Sequence, residues 1–358
     1  MYIYGIFFNI TVMSFENNTE EFTHYIITGA AGHLAKNIIE ILSQNPINRI
    51  YGLILPFEKG EQKDNVTYVK GDITDKEGMD AFFRQYATPS TVVIHTAGLI
   101  SIESGVSDKL YSVNVQGTRN VLEASKKYSV KRFVYLSSVD ALGVKKGSEM
   151  TEDDAHYNKD KVRGGYAKTK AESSRMVLDA ATPSFETIVI LPSCILGPGD
   201  TGTNHLNQFV KALLKHLVPV SIEGGFDFVD VRDVAKGCIL AANKGKSGEN
   251  YILSSDYYTV DDLEEAVRKE SGGIKKITLP MKFVKACVPL CTLWSKISGK
   301  RSLVTKYSLE TLEEGVRYSH KKADEELGYT VRPLSETVHD MNMCLKKERE
   351  MKKKSKNT

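Results

Sequence analysis

Short apolar runs alternate with longer stretches of helical period over residues 25–192. Most of these runs are continuously apolar, which is typical of parallel strands that helices cover on both faces. The alternation of strands with helices predicts repeated β-α-β units on one parallel sheet. The predicted strands are residues 25–28, 50–55, 66–70, 92–96, 133–137 and 188–191.

Capping sequences predict the starts of two helices. Thr74, followed by Glu77 three residues later, forms a capping box, and the apolar residues after it repeat at helical spacing up to residue 86. Thr259 and Asp262 form a second capping box, which predicts a helix ending near residue 271.

The pattern loosens after residue 192. Glycine-rich loops follow, with a short predicted helix at 206–214 and a predicted strand near 228–231. We expect this second half to form a smaller lobe over the carboxyl ends of the strands, where ligands bind in open α/β sheets.

Composition excludes several classes of protein. The chain has 358 residues, of which 41% are hydrophobic and 26% charged, as expected of one large globular domain or two unequal ones. Its net charge of +3 comes from interspersed acidic and basic residues, whereas nucleic-acid binding needs a concentrated basic face. We therefore expect small molecules, and no nucleic acid, as partners.

Cysteine usage and the termini indicate the compartment. Five cysteines, an odd number set mostly among apolar residues, predict reduced thiols and a cytoplasmic location. Their spacing offers no complete zinc site, so no metal is expected. The apolar residues 1–8 are too short to span a bilayer. We expect residues 1–22 to be a disordered extension, with Met13 as an alternative start, and residues 346–358 to be a basic flexible tail.

A glycine-rich turn at residues 28–35 follows the first predicted strand and opens a helix. Gly29 and Gly32 allow a tight turn that brings backbone N–H groups to a pyrophosphate at the positive end of the helix. Small Ala35 permits close packing of helix on strand. In the first βα turn of an α/β sheet, this pattern predicts a dinucleotide site. The residues assigned to it are Gly29, Ala31, Gly32, His33 and Leu34.

The preference between NAD and NADP is left open by the second strand. An acid there would bind the ribose 2′-hydroxyl and an Arg the 2′-phosphate, but Ile54, Leu55 and Pro56 occupy that edge, with Glu58 and Lys59 just beyond. Asp72 and Ile73, after the third strand, are candidates for the adenine side. The alternative for Asp72 is a loop residue before a helix cap.

The predicted fold class is thus α/β, a Rossmann-type doubly wound parallel sheet with a smaller C-terminal substrate-binding lobe. We assign residues 23–193 to the dinucleotide-binding domain, with 228–254 contributing, and residues 194–227 and 255–345 to the lobe.

Three Tyr/Lys pairs have the four-residue spacing that places both side chains on one helix face. There the ammonium can lower the phenol pKa from about 10 and make it a usable general acid or base. Glycines 164 and 165 follow the pair at 157 and 161, and the pair at 318 and 322 lies far beyond the sheet. Tyr166 and Lys170 begin an uninterrupted helical stretch, 167–180, and are our candidate proton donor and its cation.

With these residues in place, the chain resembles the extended short-chain dehydrogenases/reductases, the NAD-dependent epimerase/dehydratase superfamily. The resemblance covers roughly residues 25–345. Its matching stretches are residues 28–35, 71–75, 95–98, 114–118, 136–139, 166–170, 196–200 and 228–235.

The resemblance implies roles for further residues. Ser138 would bind the substrate carbonyl, and Lys170 would also hold the nicotinamide ribose. Asn114 would support the proton relay, with helix packing as its alternative. The residues 95–98, among them Thr96, Ala97 and Gly98, would line the cofactor, and the alternative for His95 is a plain strand-end residue. Pro192 and Ser193 are assigned to the cofactor site, although this strand often ends in Arg-Pro in relatives and here ends in Leu191-Pro192.

The substrate class depends on one position. Nucleotide-sugar members often carry an Arg where this chain has Phe226, and an apolar ring cannot neutralise a diphosphate. Stretches 237–242, 248–253 and 326–334 are similar to dihydroflavonol-reductase-like and 3β-hydroxysteroid-dehydrogenase-like members. The apolar stretch 281–297, with Phe283, Val284, Val288, Leu290, Leu293 and Trp294, is a candidate wall of the substrate site or packs into the lobe's own core.

We therefore expect hydride transfer between NAD or NADP and a ketone or secondary alcohol on a fairly apolar small molecule. The alternatives are a nucleotide-sugar epimerase or dehydratase with tightly bound NAD, and a non-catalytic NAD(P)-binding regulatory protein. Resemblance also implies a homodimer, paired through the helices near 114–128 and 166–180. No Gly-x-Ser-x-Gly, Walker A or His-Glu-x-x-His segment supports a hydrolase.

Overall fold

Seven parallel strands form the main sheet of the structure, a computed structural model that describes residues 22–101, 103–143, 149–200, 204–298 and 306–354. The strands of the described chain are β1 (His24–Thr28), β2 (Arg49–Ile54), β3 (Val66–Lys70), β4 (Thr91–His95), β5 (Arg132–Leu136), β6 (Glu149–Met150), β7 (Glu186–Pro192), β8 (Cys194–Leu196), β9 (Ser221–Ile222), β10 (Gly225–Asp230), β11 (Glu249–Leu253), β12 (Asp256–Thr259), β13 (Thr278–Leu279) and β14 (Arg317–Tyr318).

The helices connect these strands and build the lobe. They are α1 (His33–Leu42), α2 (Lys76–Tyr86), α3 (Asp108–Tyr111), α4 (Thr118–Lys127), α5 (Gly165–Asp179), α6 (His205–Leu214), α7 (Val231–Lys244), α8 (Val260–Ser271), α9 (Met281–Ser298), α10 (Lys306–Glu314), α11 (Lys321–Leu327) and α12 (Leu334–Lys354). A π-helical turn, Ser112–Gly117, joins α3 to α4, and 3₁₀ turns lie at Val139–Leu142 and Glu152–Asp154.

The strand order places a crevice between β1 and β4. The order is β11-β7-β5-β4-β1-β2-β3, so the chain builds outward from β1 in one direction and from β4 in the other. Thr28 and His95, the last residues of these two strands, are paired in register. Ligands bind at such a switch point, outside the carboxyl ends of the strands.

Helices cover both faces of this sheet because its strands are apolar on both sides. Along β1, Tyr25 and Ile27 pack with α1 and α7, whereas Ile26 packs with α2, α4 and α5 on the opposite face. Period-two alternation of strand side chains produces this division. The predicted doubly wound parallel sheet is confirmed, and all six predicted strands belong to it, with β11 as a seventh.

The smaller lobe has its own sheet and core. Strands β8, β10 and β12 form a three-stranded sheet, and α6, α8 and α12 share one apolar cluster with it. Strand β10 lies in this small sheet, whereas α7 packs on α1 and β11 joins the large sheet. The capping box of Thr259 and Asp262 opens α8, which ends at Ser271 as predicted.

The other predicted capping box, of Thr74 and Glu77, is wrong. Asp75 is the N-cap of α2, and its carboxylate accepts a hydrogen bond from Gly78 N. The Thr74 hydroxyl donates instead to Asp72 Oδ1, at 2.8 Å. The carboxylate one residue closer to the helix therefore takes the capping position.

The structure tests the predictions for the two ends of the chain unequally. The predicted extension, 1–22, lies outside the described residues except for Phe22, which packs against the core. Helix α12 continues to Lys354, so most of the expected flexible tail is helical, with side chains that are mostly exposed. Among the described helices, none combines the length and apolarity needed to cross a membrane.

Candidate active site

The glycine-rich turn has the geometry of a phosphate cradle. Gly29 has φ +66°, and a Cβ added there would lie 2.8 Å from Ala97 Cα, so only glycine fits. Gly32 is the N-cap residue of α1, and its N–H donates a hydrogen bond to Gly29 O at 2.8 Å. No described side chain caps this helix start, which leaves its N-terminal N–H groups for an anion such as a pyrophosphate.

Residues 96–98 lie between this turn and α5. Thr96 Oγ1 donates to Thr28 O at 2.7 Å, and Ala97 N donates to Thr28 Oγ1 at 3.3 Å. Gly98 is exposed, and a Cβ there would lie 3.4 Å from Lys170 Nζ. The structure thus brings these three predicted cofactor residues together beside the glycine turn.

Other predicted members of the turn have different surroundings. Ala31 is half-buried, whereas the Leu34 side chain is buried in the core under α1. His33 Nε2 lies 2.8 Å from Pro198 O, so this ring ties α1 to the loop after β8. Burial lowers the His33 pKa, which favours the neutral ring.

The remaining predicted cofactor residues lie at the carboxyl ends of β3 and β7. Asp72 is exposed and accepts hydrogen bonds from Thr74, as a turn residue does, while Ile73 is buried against Gly117. Pro192 ends β7, and Ser193 N donates to Leu253 O at 3.2 Å. Contact of these residues with a cofactor stays a prediction.

His95 does not line the crevice, which corrects its predicted place. Its ring is fully buried under α4, with Nδ1 2.6 Å from Thr28 Oγ1 and Nε2 3.0 Å from Thr118 Oγ1. Since Thr118 gives its proton to Asn114 O, Nε2 carries the ring proton and Nδ1 accepts from Thr28. Burial, with the nearby charge of Lys170, lowers the His95 pKa to about 3, so the ring stays neutral.

An acid lies at the carboxyl end of β2 after all. Glu58 N donates to Leu55 O at 3.0 Å, and Glu58 Oε2 accepts from Leu55 N at 2.9 Å. Pro56 occupies the second position of this four-residue turn, where its fixed φ favours a reversal. The signal for this placement was therefore in the sequence, three residues beyond the strand.

Of the three Tyr/Lys pairs, Tyr166 and Lys170 alone share a helix. Both lie on α5, in its first two turns. Tyr157 lies outside any helix, with φ +45°, and Tyr318 lies on β14 while Lys322 lies on α11.

Lys170 is held by the sheet beneath α5. Its Nζ donates to Leu136 O at 2.6 Å and lies 4.8 Å from the centre of the Tyr135 ring. The same Nζ is 5.9 Å from the centre of the Tyr166 ring. Burial lowers the Lys170 pKa to about 7, because removal from water disfavours the charged ammonium.

Asn114 braces the segment that follows β4. Its side chain accepts from Leu99 N at 2.7 Å and donates to Leu99 O at 2.9 Å and to Thr169 Oγ1 at 3.0 Å. The amide thus connects the π-helical turn, the crevice wall and α5. These contacts fit the packing role, and the proton relay stays a prediction.

The two serines at the end of β5 have separate partners. Ser137 Oγ lies 2.6 Å from Ser174 Oγ and so attaches β5 to α5. Ser138 caps the 3₁₀ turn Val139–Leu142: its Oγ accepts from Asp140 N and donates to Asp140 Oδ2, each at 3.2 Å. Sequence reasoning missed Asp140, although a serine two residues before an acid is a common turn pattern.

A cavity of about 70 Å³ extends from this 3₁₀ turn toward the lobe. It has room for roughly five water molecules. Apolar and acidic side chains line it together; they include Val139, Asp140, Phe226, Asp227, Glu310 and Glu314. We call it the lobe pocket. Burial raises the pKa of Asp227 to about 6, although Ser255 N and Tyr318 N both donate to this carboxyl.

Helix α9, the candidate wall, packs into the lobe in its first part. Met281 and Val284 are buried in an apolar cluster with α10, and Val288 packs against it, whereas Phe283 is 58% exposed. Leu290, Leu293 and Trp294 lie outside the described side chains. None of the described α9 side chains lines the lobe pocket.

No group of three or more His, Cys, Asp or Glu in the described ranges is placed to hold a metal ion.

Comparison with known proteins gives a consistent result. Residues 25–254 match the family described as the NAD dependent epimerase/dehydratase family. The chain is 24% identical to the "Putative dihydroflavonol 4-reductase" of Synechocystis sp. over 327 residues, 88% of this chain and 92% of that protein. It is 29% identical to the sterol-4-alpha-carboxylate 3-dehydrogenase ERG26 (decarboxylating) of Saccharomyces cerevisiae over 331 residues, 86% of this chain and 93% of that protein.

Solved structures agree on the fold. The crystal structure of gox2253 superposes with a TM-score of 0.76 at 25% identity, covering 91% of this chain and 98% of that one. The family resemblance drawn from the sequence motifs is thereby confirmed.

Proposed function

Because the chain belongs to the NAD-dependent epimerase/dehydratase family, an extended branch of the short-chain dehydrogenases/reductases, we propose that it interconverts a ketone and a secondary alcohol on a fairly apolar small molecule. One observation carries this proposal: Tyr166 and Lys170 share α5, which packs against the 3₁₀ turn that Ser138 caps at the rim of the lobe pocket. The enzyme is an NAD-dependent oxidoreductase, and the substrate is the proposed part.

The chain's own residues suit NAD. The uncapped start of α1 and the glycine turn fit a pyrophosphate, and Gly98 leaves room beside Lys170. When bound, the cofactor supplies or accepts the hydride at its nicotinamide ring.

In the reducing direction each residue has a separate task. Ser138 donates a hydrogen bond to the substrate carbonyl and orients it. Tyr166 would give its phenolic proton to the carbonyl oxygen, so that the phenolic O–H bond breaks as the alcohol O–H bond forms, and the carbonyl carbon would accept the hydride that bound NADH supplies. Lys170, anchored on Leu136 O, stabilises the resulting phenolate. In oxidation the same groups act in reverse.

The lobe pocket supports a substrate without phosphate groups. Phe226 lines it, and its ring packs edge-on against Phe228, with ring centres 5.8 Å apart. The guanidinium at the pocket, Arg163, is paired with Glu314 at 3.1 Å. A nucleotide diphosphate would meet carboxyl groups there, whereas an apolar ring with a carbonyl or hydroxyl would not be repelled. The small volume accepts the reacting ring, and the rest of a larger substrate would lie outside it.

Glu58 supports a preference for NAD over NADP. Its carboxylate is held at the carboxyl end of β2 by Leu55 N. An acid there can accept a hydrogen bond from a ribose 2′-hydroxyl and repels a 2′-phosphate.

The decisive experiment separates net redox chemistry from epimerisation. Purified protein is mixed with NADH and a panel of 3-oxosteroids and dihydroflavonols, and the loss of NADH absorbance is compared with product formation. We expect one NADH consumed per alcohol formed. Retention of tightly bound NAD after purification, with isomerisation of a UDP-sugar and no net NADH change, would support the epimerase alternative instead. NADH binding without turnover of any compound would support a regulatory role.

We also propose a homodimer in a reducing compartment. Cys194, Cys238, Cys287 and Cys344 are free thiols, and the family resemblance implies pairing through α4 and α5. Light scattering during size-exclusion chromatography would give twice the chain mass of 39.8 kDa. A monomer mass would contradict the dimer.

A further inference from the structure

The Ser138 hydroxyl is engaged by one carboxyl group before any substrate arrives. It has one proton and two lone pairs. Asp140 N donates to Ser138 Oγ, and the Ser138 proton points to Asp140 Oδ2. With both contacts in place, Ser138 has one lone pair left to accept a hydrogen bond and no proton to donate.

The protonation of Asp140 reverses this arrangement. If Asp140 is ionised, it keeps the Ser138 proton, and Ser138 can only accept a hydrogen bond, which suits an alcohol substrate. If Asp140 is protonated, it donates its own proton to Ser138 Oγ and releases the Ser138 proton for a carbonyl. We propose that Asp140 is a positioning residue that sets whether Ser138 presents a donor to a ketone or an acceptor to an alcohol. This inference rests on the proposed function.

The surroundings of Asp140 favour its neutral form more than water does. Burial raises the Asp140 pKa, the Ser138 hydrogen bond opposes this, and the charge of Glu314 adds to it. Arg163, which also lines the pocket, pairs with Glu314 and not with Asp140. Among the residues that the structure describes, the titratable or charged groups that line the lobe pocket with Asp140 are Arg163, Cys194, Asp227, Glu310, Glu314 and Tyr318.

The first experiment tests the Asp140–Ser138 contact without any substrate. Infrared difference spectra between the wild type and Asp140→Asn isolate the C=O band of protonated Asp140, and a pH series gives its midpoint. Removing the hydroxyl in Ser138→Ala takes away a bond to the ionised carboxyl, so we expect the midpoint to move upward and the band to shift. Ser137→Ala is the matched control, since Ser137 contacts Ser174, and its spectrum is expected to keep the wild-type midpoint.

The second experiment tests the effect on catalysis. With a 3-oxosteroid or dihydroflavonol that the wild type reduces, KM for the ketone should rise roughly two- to tenfold as pH passes the Asp140 midpoint, the change expected from one hydrogen bond. In Asp140→Asn, the amide donates to Ser138 Oγ at every pH and leaves the Ser138 proton free. We therefore expect the KM for the ketone to stay low across this pH range. The KM for the corresponding alcohol should increase, because Ser138 then has no free lone pair to accept from it. Asp140→Asn should have no such effect in a Ser138→Ala background.

The outcomes separate the two proposals. An Asp140 midpoint unmoved by Ser138→Ala, or an unchanged pH dependence of KM in Asp140→Asn, overturns the role of Asp140 and leaves the oxidoreductase assignment intact. If Ser138→Ala shifts the Asp140 midpoint but the wild type reduces none of the panel ketones, the Asp140–Ser138 contact is confirmed. The proposed substrate class is then rejected, and with it the role of Asp140 in choosing between ketone and alcohol.

Discussion

The two sides of the crevice hold their polar groups in different ways. On the cofactor side, Lys170 and Asn114 are fixed by backbone atoms of Leu136 and Leu99, and His95 is held between two threonines. On the substrate side, Ser138 contacts the Asp140 carboxyl and Asp227 is itself a carboxyl, and burial raises the pKa of both acids. Burial therefore lowers the pKa of the bases His95 and Lys170 on the cofactor side and raises the pKa of the acids Asp140 and Asp227 on the substrate side.

The comparison explains why the chain resembles relatives with different substrates. Backbone partners persist when side chains change, so the cofactor side can be shared across a family. The lobe pocket is built from side chains such as Phe226 and Asp140, and single substitutions change its chemistry.

The largest expected effect is at Tyr166, on α5. Tyr166→Phe removes the proton donor and should lower turnover by about 10²–10⁴-fold, while NADH affinity stays within about twofold. Steady-state kinetics and NADH fluorescence titration measure the two quantities. Tyr157→Phe changes a tyrosine outside α5 and should retain turnover. Wild-type turnover in Tyr166→Phe would mean that the proton comes from elsewhere.

Gly29→Ala tests the rigidity of the cofactor side. The φ of +66° and the approach to Ala97 should together reduce stability by about 1–3 kcal/mol and abolish NADH binding. Urea unfolding and fluorescence titration measure these effects. Gly248→Ala is the matched control, because Gly248 has φ +80° with no atom near an added Cβ, so it reports backbone strain alone. Equal losses in both variants would show that the contact with Ala97 is unimportant.

Lys170→Met tests whether burial of a charge on the cofactor side costs stability. The folded pKa of Lys170, about 7, is below the ordinary value of 10.5, so between these pH values the unfolded chain binds the extra proton. Wild-type stability should therefore rise relative to the variant, by about 1 kcal/mol per pH unit, from pH 7 upward. Urea midpoints at pH 7, 8 and 9 measure this, and parallel curves for the two proteins would contradict it.

The smallest expected effect concerns Glu58, a surface acid. Glu58→Gln removes the charge that a 2′-phosphate would meet, so the affinity for NADPH relative to NADH should increase by roughly two- to fivefold. Competition titrations at low salt measure the ratio. An unchanged ratio would remove Glu58 from cofactor selection.

The sequence predicted the framework because its signals are local and repeated. Continuous apolar runs predicted every strand of the main sheet but β11, and helix continuity selected Tyr166 and Lys170 among three equivalent spacings. These features depend on residues close together in the chain. The place of His95 could also have been derived, since Val93 and His95 share a strand face and Val93 packs under helices on the same side of the sheet.

The errors arose where two local groups compete or where distant segments meet. Thr74 and Asp75 both suit an N-cap, and the sequence does not show which one reaches Gly78. The lobe pocket gathers residues from β10, α10 and the turn after β5, which are far apart in the chain. Burial and pKa shifts at Asp140 and Asp227 follow from that assembly and have no signature in local spacing.

The alignment of Asn114 depends on the number of residues in the π-helical turn Ser112–Gly117. Such a turn amounts to one residue inserted into an α-helix. Deleting one residue there would restore the regular pitch and rotate the side chains on one side of the deletion by about 100° relative to the other. Asn114, which reaches Leu99 and Thr169 from this turn, would then lose its alignment with Thr118 and the buried ring of His95. A protein engineer could therefore disable this site by shortening the helix, without substituting any residue that contacts substrate.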